Sequence, residues 1–216
     1  MRDSGVEHVV FLSSYTIRSE GKVLRAITPD NNQWIPYAHA QVEINIEDIG
    51  FPYFTALRPA FFASNSFNHY FDSSVTPPRA TIIFEDAIFD NIAPEDIGAV
   101  GGAVLVERPS DGKETIYLCG PELRTVKENW ETIMAFTGRT DIDMTPISPA
   151  KFLQALDATG LPSSLANGLL GTLEEMRNGF QEPEYQIGVA NVEKYTGRKA
   201  TKFVDYLEAH KAQWQI

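Results

Sequence analysis

The chain has 216 residues, 43% hydrophobic and 22% charged, with a formal charge of −11 from 18 basic and 29 acidic side chains. That length buries a real core, as one large domain or as one domain with a small helical cap. The acidic balance, with no run of Lys or Arg, excludes a direct nucleic-acid surface, because phosphate binding needs clustered cations. One cysteine, Cys119, excludes an internal disulfide and fits a reducing compartment. The opening "MRDSGVEHVV" carries charges where a signal peptide has its apolar stretch, and no apolar run is long enough to span a bilayer. A cytoplasmic protein with no membrane partner is expected.

In chain order, "GVEHVVFLSS" (5–14) comes first. Gly5 reads as the left-handed residue that ends a helix, making Met1 to Ser4 a last helical turn. Val9, Val10, Phe11 and Leu12 are contiguous and apolar, the pattern of a parallel strand buried on both faces. Tyr15 to Trp34 is a long irregular connection with turn chemistry at Gly21, Pro29, Asp30 and Asn31. In "IPYAHAQVEINIEDIG", Pro36 suits a first helical turn, and Ile35, Ala38, Val42, Ile46 and Ile49 recur at helical spacing up to Gly50. "PYFTALRP" (52–59) is a second buried strand, so the unit is strand, helix, parallel strand.

"AFFASNSFNHYF" has a helical pattern and "RATIIF" (79–84) an extended one. "APEDIGAVGGAVLVE" predicts a helix with Pro94 near its start and small residues on its packing face. Its "GAVGGA" (98–103) resembles a dinucleotide fingerprint, but it follows no strand and lies inside a helical pattern, so close helix packing explains it. "ETIYLCG" (114–120) is a third core strand. From about Arg124 the pattern is mainly helical, with breaks near Gly138, Gly160 and Gly179 and a last amphipathic helix from Ala200 to Trp214. The fold class is α/β, with parallel strands first and a helix-rich C-terminal part.

The segments "GVEHVVFLSS", "HAQVEINIEDIGFPYFTALRPAFFASN", "IAPEDIGAVGGAVLVE", "YLCGPELRTVKENWETIMAFTGR" and "VEKYTGRKATKFVDYLEAHKAQW" resemble, in order and spacing, the NmrA-like family of atypical short-chain dehydrogenases/reductases. Within it, His39 is similar to the quinone oxidoreductase and triphenylmethane reductase subgroup. The resemblance implies a single NmrA-like domain over 1–216: the C-terminal portion of a Rossmann-like parallel sheet over 1–123 and a mainly helical substrate-side portion over 124–216. It implies NADP or NAD as cofactor. The family's Gly-rich strand–turn–helix, which seats the pyrophosphate, has no counterpart among these residues. Impaired nucleotide binding is therefore expected, from a shortened product, a misplaced start or a split protein.

Ser13 and Ser14 end a parallel strand, where ligands of open α/β sheets bind; they either face a cofactor or satisfy turn backbone groups. His39 lies one turn before Glu43, a carboxylate that would favour imidazolium, or it is simply a core-edge histidine. One His and one Glu are too few for a metal site. The resemblance makes Ser13, Ser14 and His39 cofactor contacts, together with Pro59 and Phe62 of "LRPAFFASN". It gives Phe61 and Asn65 to the substrate side. Active short-chain dehydrogenases carry a Tyr one turn before a Lys on this helix, and those positions are Ile35 and His39 here. Tyr15 either donates a proton or lines the substrate pocket, leaving His39 and Tyr15 as catalytic candidates. His69, Tyr70 and Phe71 are weaker cleft candidates.

The expected function is an NAD(P)H-dependent oxidoreductase of a small quinone or carbonyl compound, since orientation can suffice when the cofactor carries the chemistry. The alternatives are a non-catalytic dinucleotide sensor or partner-binding regulator, and an inactive truncated product. The unblunted apolar edge at residues 8–12 is expected to pair with a second copy or a partner chain.

Overall fold

A computed structural model describes residues 4–18, 24–29 and 33–214. In chain order its elements are β1 (His8–Leu12), α1 (Trp34–Ile49), β2 (Tyr53–Pro59), α2 (Asn65–Asn68), β3 (Phe71–Asp72), β4 (Arg79–Ala80) and β5 (Ile88–Phe89). Then come α3 (Pro94–Val106), β6 (Lys113–Leu118), β7 (Arg124–Thr125), α4 (Val126–Thr137), α5 (Pro149–Ala158), α6 (Ser163–Glu175), α7 (Glu184–Thr196) and α8 (Phe203–Ala209). The turns expected at Met1–Asp3, Gly21, Asp30 and Asn31 lie outside the described residues.

The central sheet has the order β1-β2-β6 and is parallel throughout. His8 stands against Tyr53, Leu12 against Leu57, and Arg58 against Tyr117. Alternation along β2 sends Leu57 to one face and Arg58 to the other. The Leu57 face packs on α3 and α7 through Ile97, Val100, Ile116, Leu118 and Val192. Each such side chain, fully buried, stabilises by roughly 1.5–3 kcal/mol. The Arg58 face is covered by α1. Gly101, inside the expected small-residue stretch of α3, places its backbone so that an added Cβ would lie 3.4 Å from Leu57 Cδ1. At the far end of β6, Gly188 of α7 sits directly on Cys119, where an added Cβ would lie 2.6 Å from Sγ.

The helix ends follow local chemistry. Gly50 adopts φ 72° and closes α1 through its N–H to Ile46 and Glu47 carbonyls. Thr125 and Glu128 form a reciprocal capping box at the start of α4. Helices α4, α5, α6 and α8 gather around a second core holding Trp130, Ile133, Phe152, Phe203 and Leu207. Among the described residues no helix is long and apolar enough to cross a membrane.

Three elements depart from expectation. The stretch "RATIIF" keeps only Arg79–Ala80 as strand, because Thr81 and Ile147 instead make single backbone bonds to Tyr70 and Ile82 in loops. "AFFASNSFNHYF" is helical only over Asn65–Asn68, since Phe61 and Ala63 are drawn into extended backbone bonds with Ile92. The stripe expected to bury α1 is not the buried one. Pro36, Ala40, Glu43 and Ile44 face inward, while Val42 and Ile49 are 40% and 47% exposed. The reason is polar: Glu43 must reach Arg58 on β2, and that sets the rotation of the helix.

Strand β1 has β2 on one side and no strand on the other among the described residues. The Ser13 and Tyr15 amides donate to Leu57 and Pro59 carbonyls. By parallel-strand alternation Val9 and Phe11 share that direction, and the amides of Val10 and Leu12 face the open edge. Hydrogen exchange on the dilute chain should therefore show Phe11 and Ser13 protected and Val10 and Leu12 exchanging rapidly. Protection of Val10 and Leu12 that grows with concentration would report pairing through this edge.

Candidate functional site

The carboxyl ends of β1 and β2 open into one cavity of about 270 Å³. Its walls bring together Ser13, Ser14 and Tyr15 after β1, His39 on α1, and Pro59, Phe61, Phe62 and Asn65 after β2. The catalytic, cofactor and substrate candidates thus meet at one place, the crevice where open α/β sheets bind ligands. Tyr70 joins them, whereas His69 is exposed and Phe71 packs on Trp130 and Trp214. The opposite wall comes from the C-terminal helices, with Leu169, Thr172 and Leu173 of α6 and then Met176. Sequence reading did not single these out, because their place depends on how α6 docks against α1. Gly168 makes that docking possible: an added Cβ would lie 3.1 Å from Trp34 Cβ.

A buried polar network holds the β1 side of the cavity in place. The Arg58 guanidinium grips Glu43 in bidentate fashion, Nε to Oε1 at 3.0 Å and Nη2 to Oε2 at 2.8 Å. Side-chain exposure is 3% for Arg58 and 0% for Glu43. Burial alone would lower the Arg58 pKa, but the Glu43 carboxylate outweighs it and holds the guanidinium above its ordinary value. Ser13 donates its hydroxyl to Glu43 Oε1. Arg58 Nη1 donates to the Ile17 carbonyl at 3.1 Å and to Tyr117 Oη at 3.0 Å, and Tyr117 donates to the same carbonyl. Residues 13–17, which carry one wall of the cavity, are thereby tied to β2, β6 and α1 at once.

The network corrects several expectations. Glu43 serves Arg58 and Ser13, so it is not the partner of His39. The Ser13 hydroxyl is committed to that carboxylate, and Ser14 serves its turn, bonding Thr16 Oγ1 at 2.8 Å and accepting the Thr16 amide at 3.2 Å. Tyr15 is 3% exposed, and its hydroxyl has no hydrogen-bond partner among the described residues. Burial pushes its pKa well above the tyrosine range, which suits a wall and not a proton donor. His39 bonds the Ile35 carbonyl through Nδ1 at 2.9 Å, so Nδ1 carries the proton and Nε2 is the atom left for a ligand.

A second clamp was not visible in the sequence. Asp90, wholly buried after β5, accepts the Phe61 amide at 2.9 Å and the Gly120 amide at 2.7 Å. It joins the ends of β2 and β6 beneath the cavity. An added Cβ on Gly120 would lie 2.0 Å from the Asp90 carbonyl oxygen, so position 120 admits only glycine. Burial pushes the Asp90 pKa up to about 7, against the opposing pull of the backbone amides.

Two outcomes follow for stability. Glu43→Gln strands a buried cation and should cost about 3–5 kcal/mol in urea unfolding, whereas Glu43→Leu/Arg58→Met should recover most of that loss. Asp90 is protonated in the folded chain at pH values where the unfolded chain has released its proton. Its contribution is therefore complete below about pH 4 and lost as the pH rises through about 7. Urea midpoints of the wild type should fall across that window relative to those of Asp90→Asn, the difference levelling off above it.

No family model matches the chain. It is 33% identical over 222 residues to the nitrogen metabolite regulation-like protein bik4 of Gibberella fujikuroi, covering 96% of this chain and 67% of that protein. Its fold is similar to the NADPH-dependent quinone oxidoreductase QOR2 of Escherichia coli solved with NADPH, with a TM-score of 0.67 at 18% identity over 96% of this chain and 67% of that one. It is similar too to the Citrobacter sp. triphenylmethane reductase complexed with NADP(H), with a TM-score of 0.61 at 17% identity over 96% and 66%. The chain thus spans about two thirds of the length of each relative. An identity of 33% over 96% of the chain, carried on a Rossmann-like α/β fold, leads to one conclusion: the chain belongs to the NmrA-like family of atypical short-chain dehydrogenases/reductases.

Proposed function

We propose that the protein is an NAD(P)H-dependent oxidoreductase acting on a small quinone or carbonyl compound. The observation that carries this reading is the single cavity at the carboxyl end of the sheet, where His39, Ser14, Pro59, Phe61, Phe62 and Asn65 converge. The relatives solved with NADPH or NADP(H) support the choice of cofactor.

The cavity fits the nicotinamide end of such a cofactor. Among the described residues its lining holds no glycine, lysine or arginine, the residues that most often seat a pyrophosphate, while His39 Nε2 and the Asn65 amide suit a ribose hydroxyl and a carboxamide. When bound, a reduced nicotinamide supplies the hydride. The chain's own part is to hold a flat acceptor between Phe61, Phe62 and Tyr70 and to keep water away with Leu169, Leu173 and Met176. His39, with Nδ1 fixed on Ile35, presents Nε2 to accept a hydroxyl proton, or to donate one when the ring is charged.

A non-catalytic dinucleotide sensor is the second reading. It is favoured by Ile35 at the position of the expected tyrosine and by the sealed hydroxyl of Tyr15, which leave His39 as the acid–base group on the wall. Turnover separates the two: NADPH oxidation in the presence of a naphthoquinone supports the enzyme, and binding without oxidation supports the sensor.

In calorimetry on the 216-residue chain, reduced nicotinamide mononucleotide and NADPH should bind with similar affinity, weaker than about 1 μM. His39→Ala should weaken both several-fold while leaving thermal unfolding unchanged. Binding of NADPH far tighter than of the mononucleotide would place a phosphate or adenosine site on these residues and count against the assignment of the cavity. Unchanged affinity in His39→Ala would remove His39 from the site.

A further inference from the structure

The inner end of the cavity is closed by aromatic rings. Phe61 and Phe89 lie face to face, centroids 3.7 Å apart and planes within 2°, and Tyr70 leans on Phe61 at 5.9 Å. Behind them is a smaller cavity of about 20 Å³ among Thr81, Ile83, Phe84, Val126 and Trp130. The two cavities share Phe61, Tyr70, Phe89 and Leu173 as a common wall.

The wall is built to yield at one side chain. An overlaid face-to-face pair is the arrangement that aromatic quadrupoles favour least, so parting these rings forfeits little. The Phe61 backbone cannot follow: its amide is held by Asp90 at 2.9 Å and its carbonyl accepts the Ile92 amide at 2.9 Å. Only the ring is free to turn, and the larger cavity lies on its outer side. The chamber behind it is lined mainly by apolar side chains, with Ser66, Thr81 and Asn129 among them. Asn129, which lines it, is paired with Asn91 through reciprocal amide hydrogen bonds at 2.9 and 3.2 Å. Its volume exceeds the roughly 10–15 Å³ that one water-sized group requires.

We propose that the inner chamber is a subsite for a methyl-sized apolar substituent on a flat aromatic acceptor, with Phe61 as the residue that sets the permitted size. The inference rests on the reading of the outer cavity as the acceptor site. It selects, within quinone-like or carbonyl compounds, ring systems carrying one small alkyl group over unsubstituted or long-chain ones.

The test is calorimetric titration of the 216-residue chain with 1,4-naphthoquinone and its 2-methyl and 2-butyl derivatives. In the wild type the methyl compound should bind about four-fold tighter than the parent, the factor for burying one methyl group, and the butyl compound no tighter than the parent. Phe61→Ala, which joins the chambers, should make the butyl compound the tightest of the three. Phe61→Leu serves the same purpose should the alanine variant fail to fold. Phe61→Trp should abolish the methyl advantage. Equal affinity for parent and methyl compounds in the wild type, or one rank order in every variant, overturns the subsite and leaves the outer site standing. If none of the three binds the wild type, the acceptor reading of the cavity falls with it.

Discussion

The ion pair between Arg58 and Glu43 is the constraint on which the rest of the site depends. A charged side chain near the end of an apolar, doubly covered strand has to be neutralised where it stands, and the carboxylate of α1 does so in bidentate geometry. Such a pair adds little net stability over well-packed apolar residues, because desolvating both charges offsets their attraction. What it contributes is geometry. It fixes the rotation of α1, which sets where His39 sits. Through Ser13, Tyr117 and the Ile17 carbonyl it also fixes the turn after β1.

Asp90 does a comparable task by different means. Here a carboxyl group ties the amides at the ends of β2 and β6, and its burial moves its titration toward neutrality. One clamp therefore places the α1 side of the cavity and the other its floor. Helix α6 closes the remaining side by lying on Trp34 and Ile35 at a glycine. The cavity is the space these three attachments leave, and its inner end is defined by a ring whose backbone one of them immobilises.

Much of this was legible in the chain. Contiguous apolar runs gave the three parallel strands to within a residue or two, because strands covered on both faces need no polar alternation. Pro94 and the glycines at 50, 138 and 160 marked helix starts and stops, since turn chemistry is local. The candidate wall residues were found from their place after strands and from family resemblance. Three things escaped. The face of α1 was misjudged because a count of apolar spacing ignores a buried carboxylate; Arg58 inside "YFTALRP" was the signal that a partner had to exist. The stretch 60–71 has a helical pattern whose competing bonds, to Asp90 and Ile92, are distant in sequence. The wall from α6 and the chamber behind Phe61 are products of docking, which no local pattern encodes.

The glycine that presses α7 onto the end of β6 has a consequence for handling the molecule. Gly188 seals the thiol of Cys119, and burial holds that thiol well above its usual pKa, so the thiolate that alkylating reagents need is suppressed twice over. Because the chain has one cysteine, any modification of it must follow the lifting of α7. The rate at which a thiol reagent consumes Cys119 then measures how often that helix detaches from the sheet, a built-in clock for local opening that requires no introduced label.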